Sequence, residues 1–126
     1  MLIRALLVGA GGAIGSMARY LLSGAVHRLL DRTLFPAGTL AVNVAGCLLI
    51  GFLGGLAETR GVLTAETRLL LMIGCLGGFT TFSSFGYETF QLARDGQATL
   101  AAMNVGLQIG LGLLAVWGGE VLSRIA

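Results

Sequence analysis

The sequence predicts an all-α integral membrane protein with four transmembrane helices. Its residues are 56% hydrophobic and only 11% charged, and its mean hydropathy is +0.89. Soluble domains are about one quarter charged, so a chain this apolar could not cover a water-facing surface. Charged residues divide the 126 residues into four apolar windows, and a helix needs roughly 20 apolar residues to cross about 30 Å of hydrocarbon.

The first two windows predict the first two spans. Residues 5–18 are uncharged, Arg19 interrupts the window, and polar residues 27–32 end it. Its start could pass for a signal peptide, but the apolar character continues past the expected cleavage region, so we interpret it as a retained span. The second window covers residues 33–57, and Pro36 predicts a helix start near residues 36–38.

The third and fourth windows cover residues 69–87 and 96–119. The preceding residues 64–67, with the sequence TAET, are expected to cap the third helix. Short loops connect antiparallel neighbours, which predicts one bundle and a single domain over residues 1–126. No convincing repeat relates the two halves.

The arginines give the chain almost no preferred orientation. If the spans alternate, four arginines lie on one side and three on the other: Arg4, Arg60, Arg68 and Arg124 against Arg28, Arg32 and Arg94. An excess of Lys and Arg normally fixes orientation. A chain that inserts both ways can form an antiparallel, dual-topology homodimer, although so small a count is equally compatible with one orientation.

Several function classes are disfavoured. The net charge is +2 and the charges are dispersed, so nucleic-acid binding is not predicted. Cys47 and Cys75 lie singly in apolar windows and are expected to pack as small apolar side chains. His27 is expected as an exposed side chain in a polar loop. No catalytic constellation or phosphate-binding loop occurs, so no enzyme activity is predicted.

Polar side chains recur at membrane depth. Thr39 and Asn43 are four residues apart, as are Asn104 and Gln108, which places each pair on one helix face. The third span adds hydroxyl groups, including those of Thr81 and Ser84. Unsatisfied polar groups are costly in hydrocarbon. These faces therefore predict a polar pathway, the alternative being that the amides only join helices.

The segment GCLGGFTTFSSF, residues 74–85, is poor helix material. We expect a break near residues 77–80, where freed carbonyls could bind a cation; a flexible kink is the alternative. Phe82 and Phe85 lie three residues apart, and their positive ring edges could contact a small anion, although such pairs usually serve packing.

Arg19 and Glu88 are ionisable residues near the membrane-spanning windows. Arg19 is a candidate vestibule charge that would concentrate anions, and pairing with an acid is the alternative. Small residues four apart favour close helix contact. They occur at Gly11 and Gly15, Gly51 and Gly55, Gly74 and Gly78, and Gly106 and Gly110.

Three segments together resemble the Fluc (CrcB-type) family of fluoride channels. They are GGAIGSMARY at residues 11–20, GTLAVNVAG at residues 38–46 and GCLGGFTTFSSFGYE at residues 74–88. The resemblance covers nearly the whole chain, and GGFTTFSSF with an upstream GTLxVN is its most specific element. Ser84 and Gln108 depart from the family pattern, which usually has Thr and a hydroxyl residue at these positions.

The resemblance implies an antiparallel homodimer with two fluoride pathways and a central sodium ion held by the backbone carbonyls of Gly77 and Thr80. It implies a bacterial inner-membrane location, a vestibule role for Arg19, and a role for Glu88 at the far end of the pathway. It also implies that Asn43 donates a hydrogen bond to fluoride. The implied pathway residues are Asn43, Phe82, Phe85, Thr39, Thr81, Ser84, Asn104 and Gln108.

The function expected from this resemblance is passive, fluoride-selective export that relieves fluoride toxicity. A small multidrug-type, proton-coupled exporter is the alternative, but such exporters carry an acid in the first span, where this chain has Arg19. A third alternative, a non-transporting assembly subunit, leaves the aligned polar faces unexplained.

Overall fold

The computed structural model describes residues 1–126 and contains helices, turns and no strands. Helices α1 (Leu2–Leu29) and α2 (Ala37–Arg60) form the first two spans. The third span, Ala65–Arg94, and α6 (Ala98–Ile125) are also long and apolar enough to cross a membrane. The prediction of an all-helical chain with four such spans is confirmed.

The third span consists of four successive pieces. Helix α3 (Ala65–Arg68) leads into a π-helical segment, Leu69–Leu76, which continues as α4 (Gly77–Phe79). Helix α5 (Phe82–Arg94) completes the span. Thr80 (φ −86°, ψ 157°) and Thr81 (φ −150°, ψ 110°) have extended backbones and separate α4 from α5. This extended pair lies at the centre of the site described below.

Two predicted helix starts are confirmed. Pro36 is the N-cap of α2, which begins at Ala37. Thr64 caps α3, and its hydroxyl accepts a hydrogen bond from the Thr67 N–H at 3.2 Å. The predicted loop position of His27 is wrong, because α1 continues to Leu29 and includes it. Charged and polar residues are tolerated in a last helical turn that can reach water, so charge alone placed this boundary too early.

Glycines allow the closest helix contacts. A Cβ atom at Gly15 would collide with the Cys75 carbonyl, and one at Gly74 would lie 2.8 Å from the Val8 carbonyl oxygen, so α1 packs directly on the π-helical segment. Gly51 of α2 meets the Val116 backbone of α6 in the same way, and Gly55 meets the Ser123 side chain. Absence of a side chain lets two backbones approach this closely.

Three of the four spaced glycine pairs therefore make the close contacts that their spacing predicts. The exception is the pair Gly106 and Gly110 on α6, where an added Cβ would meet nothing within 4 Å. Close packing at this pair is not found within the chain. The face of α6 that carries it is open.

Candidate functional site

A polar cavity of about 570 Å³ lies between α1, α2 and α5. Its lining includes Arg19, Thr39, Thr81, Ser84 and Glu88, all of which were predicted as site residues. The helix spacing of α1 accounts for further lining residues that the sequence analysis did not select. Ser16, Arg19, Ser23 and His27 recur at three- and four-residue intervals, which puts them on one face. This spacing would have predicted the polar face of α1 from the sequence.

A second cavity, of about 390 Å³, is lined by both predicted phenylalanines and is called the phenylalanine cavity here. It also contains Asn43 and Gln108, and residues of the extended pair and α4. Thr81 lines both cavities, so the two share a wall at the extended residue. The predicted residues in its lining are Asn43, Gly77, Thr80, Thr81, Phe82, Phe85 and Gln108.

Asn43 is hydrogen bonded to both sides of the Thr81 peptide backbone. The Thr81 N–H donates to Asn43 Oδ1 at 2.8 Å, and Asn43 Nδ2 donates to the Thr81 carbonyl at 3.1 Å. In a continuous helix the Thr81 N–H would donate to the Gly77 carbonyl four residues earlier. The amide of Asn43 thus replaces a helical hydrogen bond and satisfies the backbone where it is extended.

Gln108 is the second partner of Asn43. Asn43 Nδ2 donates to Gln108 Oε1 at 3.0 Å, in addition to its bond to Thr81. An amide nitrogen carries two hydrogens, and both hydrogens of Asn43 therefore have acceptors. Gln108 Nε2 is buried and has no hydrogen-bond partner. This pairing links α2, α6 and the extended residue of the third span.

The two phenylalanine rings meet edge to face. The ring centroids of Phe82 and Phe85 are 5.4 Å apart, and the ring planes are inclined at 73°. Phe82 is 82% exposed, although it lies in a helix that is apolar enough to span a membrane. Both rings line the same cavity as the Asn43 and Gln108 amides, and Phe82 also faces outward.

Arg19 binds the carboxyl end of α4. Its Nε donates to the Gly78 carbonyl at 3.0 Å, and the guanidinium group also lines the polar cavity. A cation is favoured at a helix C-terminus, where carbonyls lack helical partners. Arg19 therefore both stabilises this helix end and contributes positive charge to the cavity.

Glu88 lies on the same polar cavity as Arg19, paired with Thr39. The Thr39 hydroxyl donates to Glu88 Oε1 at 2.7 Å, while Glu88 Oε2 is buried without a partner. Thr39 is buried, so the pair lies deep in the cavity wall. The predicted polar face of α2 thus reaches α5 through Thr39 and reaches α6 through Asn43.

Asn104 has a different environment from the other predicted residues. It is fully buried, and its Nδ2 donates to the Thr89 hydroxyl at 2.9 Å. Thr89 in turn donates to the Phe85 carbonyl at 2.7 Å. Asn104 lines neither of the two cavities. Its contacts join α6 to α5, and Thr89, one turn beyond Phe85, is a member of this network that sequence reasoning missed.

The chain is similar in sequence to a known family of membrane proteins. Residues 6–120 match the family model described as CrcB-like protein, Camphor Resistance (CrcB). A relative from Geobacter sulfurreducens is 50% identical over 90% of this chain and 90% of its own length. Relatives from Methylobacillus flagellatus and Maridesulfovibrio salexigens are 47% and 45% identical, each over 95% of this chain and 94% of theirs. All three are named fluoride-specific ion channel FluC.

Proposed function

The chain belongs to the CrcB family, and on that premise we propose that it is a fluoride-selective ion channel that exports fluoride passively. The similar proteins from three bacteria carry that name and match nearly end to end. Their name gives no support to the small multidrug-type exporter considered above. As a multi-pass protein of this kind, the chain is proposed to reside in the bacterial inner membrane.

The observation that carries the proposal is the position of Thr81 between the two cavities. On one side lies a polar cavity with Arg19 at its wall, and on the other lie the phenylalanines and amides. Hydroxyl donors continue along this route: Thr81 Oγ1 lies 3.0 Å from Ser84 Oγ. An anion that loses its water needs such donors in sequence. Ser84 is proposed to donate its hydroxyl hydrogen to the anion. Thr39 and Thr81, whose single hydroxyl hydrogens go to Glu88 and Ser84, are proposed to line the route.

Arg19 is proposed to concentrate the anion at the vestibule formed by the polar cavity. A wall charge raises the local concentration of counter-ions. Glu88 lies in the same cavity and accepts a hydrogen bond from the Thr39 hydroxyl. Its proposed role is to orient Thr39. Deeper in the pathway, the ring edges of Phe82 and Phe85 carry partial positive charge. They would contact fluoride where no formal charge is present.

The driving force needs no energy-coupling site in the protein. Hydrogen fluoride is a neutral weak acid that crosses bilayers and dissociates in a less acidic cytoplasm, which traps fluoride inside. An interior-negative potential pushes an anion outward by about 2.3 kcal/mol per 100 mV. A selective passive pathway therefore suffices to lower cytoplasmic fluoride and relieve its toxicity.

The functional unit is proposed to be an antiparallel, dual-topology homodimer with two pathways, each chain forming a single domain. Two features support a partner on the open side of the chain. Phe82 is exposed although it borders the phenylalanine cavity, and the Gly106 and Gly110 pair has no neighbour within the chain. Exposed small residues of this spacing allow close helix contact.

A sodium ion is proposed at the carbonyls of Gly77 and Thr80. The fit rests on the extended pair: the Thr81 N–H, which would otherwise bond to the Gly77 carbonyl, donates to Asn43. Gly77 is also exposed, and nothing lies within 4 Å of where its Cβ would be. Oxygen ligands suit a hard cation. When bound, the ion would neutralise carbonyl dipoles that a broken helix leaves at membrane depth.

Growth under fluoride tests the proposed function in a cell. A bacterial strain lacking its own fluoride exporters is expected to grow in millimolar fluoride when it expresses this chain. An Asn43→Asp variant of equal expression is expected not to support growth, and Glu120→Gln, at an exposed surface pair, serves as the matched control. Equal fluoride sensitivity with wild-type chain and empty vector would contradict the proposal.

A further inference from the structure

The orientation of the Asn43 amide is fixed by its backbone partner. The Thr81 N–H can only donate, so the Asn43 atom 2.8 Å from it must be the oxygen. The Asn43 nitrogen then faces the Thr81 carbonyl, which can only accept. Asn43 is thus locked by two opposed hydrogen bonds, and its orientation follows from chemistry alone.

The orientation of Gln108 follows from that of Asn43. The remaining hydrogen of Asn43 Nδ2 points to Gln108, and an oxygen must receive it. Gln108 Oε1 therefore faces Asn43, and Gln108 Nε2 is directed away from it. This nitrogen is buried and has no hydrogen-bond partner.

An unpartnered buried amide nitrogen calls for an explanation. A buried donor without a partner destabilises the fold, and most buried side-chain polar groups have partners. Gln108 lines the phenylalanine cavity together with Phe82 and Phe85. Its two N–H groups are the free donors in that amide pair, because both hydrogens of Asn43 are already engaged.

From these contacts we infer that Gln108 Nε2 is the side-chain amide that donates to the permeating anion in the phenylalanine cavity, while Asn43 positions it. The inference rests on the proposed function and divides two roles. Asn43 holds the extended Thr81 backbone and orients Gln108. Gln108 binds the anion and is the residue through which this chain sets the donor geometry of its pathway.

Amide resonances test the inference directly. The protein, labelled with ¹⁵N in the side-chain amides of Asn and Gln and placed in lipid nanodiscs, is titrated with sodium fluoride and, as a control, sodium chloride. A Gln108→Met variant identifies the Gln108 signals among those of Gln91 and Gln97. We expect a saturable downfield shift of the Gln108 amide protons with fluoride only, and a small or absent shift at Asn43.

The opposite pattern would overturn the inference. A saturable fluoride shift at Asn43 with an unchanged Gln108 signal would make Asn43 the donor. An unchanged Gln108 signal in a protein that conducts fluoride would mean that Gln108 Nε2 donates to a buried water and not to the anion. Failure of the proposed function is a separate result, since it would be an absence of fluoride efflux from liposomes that contain the wild-type protein.

Fluoride flux through the same variant adds a second readout. Gln108→Met keeps the side-chain length but removes the donor, and it frees one Asn43 hydrogen from its acceptor. If Gln108 is the donor, fluoride efflux is expected to fall at least fivefold in dimers of normal size. If Asn43 is the donor, the freed hydrogen leaves efflux unchanged or raised, which would contradict the inference.

Discussion

Single residues in the site hold the backbone and line a cavity at the same time. Asn43 is half-buried and hydrogen bonded to the Thr81 backbone, yet it also borders the phenylalanine cavity. Arg19 binds the Gly78 carbonyl and lines the polar cavity. Substitutions at such residues are expected to change both local structure and transport, so informative variants must separate the two effects.

Asn43→Asp is expected to lower fluoride efflux at least tenfold. The carboxylate keeps the bond from the Thr81 N–H but cannot donate to the Thr81 carbonyl or to Gln108, and it adds negative charge to an anion pathway. One lost hydrogen bond to a buried acceptor is worth about 1 to 3 kcal/mol, and 1.4 kcal/mol corresponds to about tenfold. Efflux from liposomes, with size-exclusion chromatography to confirm assembly, measures the effect. Wild-type flux in an assembled variant would contradict the role of Asn43.

Arg19→Gln is expected to lower fluoride efflux severalfold at low ionic strength, with a smaller reduction near 1 M of an impermeant salt. The reason is screening, because the Debye length shrinks to about 3 Å at 1 M. Initial rates at several salt concentrations give the comparison. Arg19→Lys retains the charge and should stay close to wild type. A reduction that is independent of salt would assign Arg19 to the Gly78 contact alone.

The types of site residue were predictable from the sequence, but their partners were not. The four-residue spacing put Thr39 with Asn43 and Asn104 with Gln108 on single faces. It did not show that Thr39 would meet Glu88, or that Asn104 would bond to Thr89 and not line a cavity. Hydrogen-bond partners on other helices depend on which helices are adjacent and how each is rotated about its axis. The periodicity within one helix specifies neither.

At the level of elements, side-chain hydrogen bonds support the third span on both sides of the extended pair. Thr81 is the N-cap of α5, and its hydroxyl accepts from the Ser84 N–H at 3.1 Å. Thr80 Oγ1 donates to the Leu76 carbonyl at 3.0 Å at the other side of the extended pair. The Thr81 hydroxyl satisfies an orphan N–H at the start of α5, whereas the Leu76 carbonyl accepts from the Thr80 N–H as well as from its hydroxyl.

Thr81→Val and Thr81→Ser form a matched pair at this cap. Valine keeps the shape but removes the hydroxyl, so we expect a loss of about 1 kcal/mol in stability together with reduced fluoride efflux. Serine keeps the cap and should retain most of both properties. Thermal unfolding in detergent and liposome efflux provide the measurements. Equal behaviour of the two variants would show that the hydroxyl has neither role.

Gly11→Ala is expected to destabilise the fold by about 1 to 3 kcal/mol, the usual range for overpacking. Its methyl group would collide with the Leu70 carbonyl oxygen, whereas Gly9, in the same helix, has open space at that position. Gly9→Ala is the control and should be neutral or stabilising by up to about 1 kcal/mol, from helix propensity. The unfolding temperatures of both variants measure the effect. A Gly11→Ala variant as stable as wild type would contradict the close packing of α1 on Leu70.

The four spans could be predicted from the apolar windows between charged residues. The ends of the helices and the irregular segment within the third span could not. The helices extend past the windows, so that α1 includes His27 and α6 reaches Ile125. The π-helical segment Leu69–Leu76 has no counterpart in the sequence pattern. Its residues are apolar on every side. The sequence therefore has no polar–apolar periodicity that would distinguish the 3.6 residues per turn of an α-helix from the larger number in a π-helix.

At the level of the whole molecule, the proposed dual topology makes a quantitative prediction. In a background with Cys47→Ala and Cys75→Ser, a cysteine introduced by Asp31→Cys in the first loop is expected to be labelled by an impermeant maleimide in about half of the molecules in intact cells. Both orientations then contribute to the dimer. Labelling of all or none of the molecules would establish a single orientation and rule out the antiparallel assembly.

Neither the sequence pattern nor the packing within one chain specifies how two chains would assemble. The arginine distribution is nearly balanced. Phe82 is exposed and the Gly106 and Gly110 pair is open, which is compatible with the proposed partner and equally with lipid. A contact between chains leaves no periodic signature distinct from lipid exposure, because both call for apolar or small side chains.

The central claim is fluoride conduction by this chain alone, and anion efflux from liposomes containing only the purified protein tests it most directly. Vesicles are loaded with fluoride or with chloride, and release is read with ion-selective electrodes after the membrane potential is clamped. Rapid fluoride loss with chloride retained is expected. Retention of fluoride by vesicles that contain well-folded protein would contradict it.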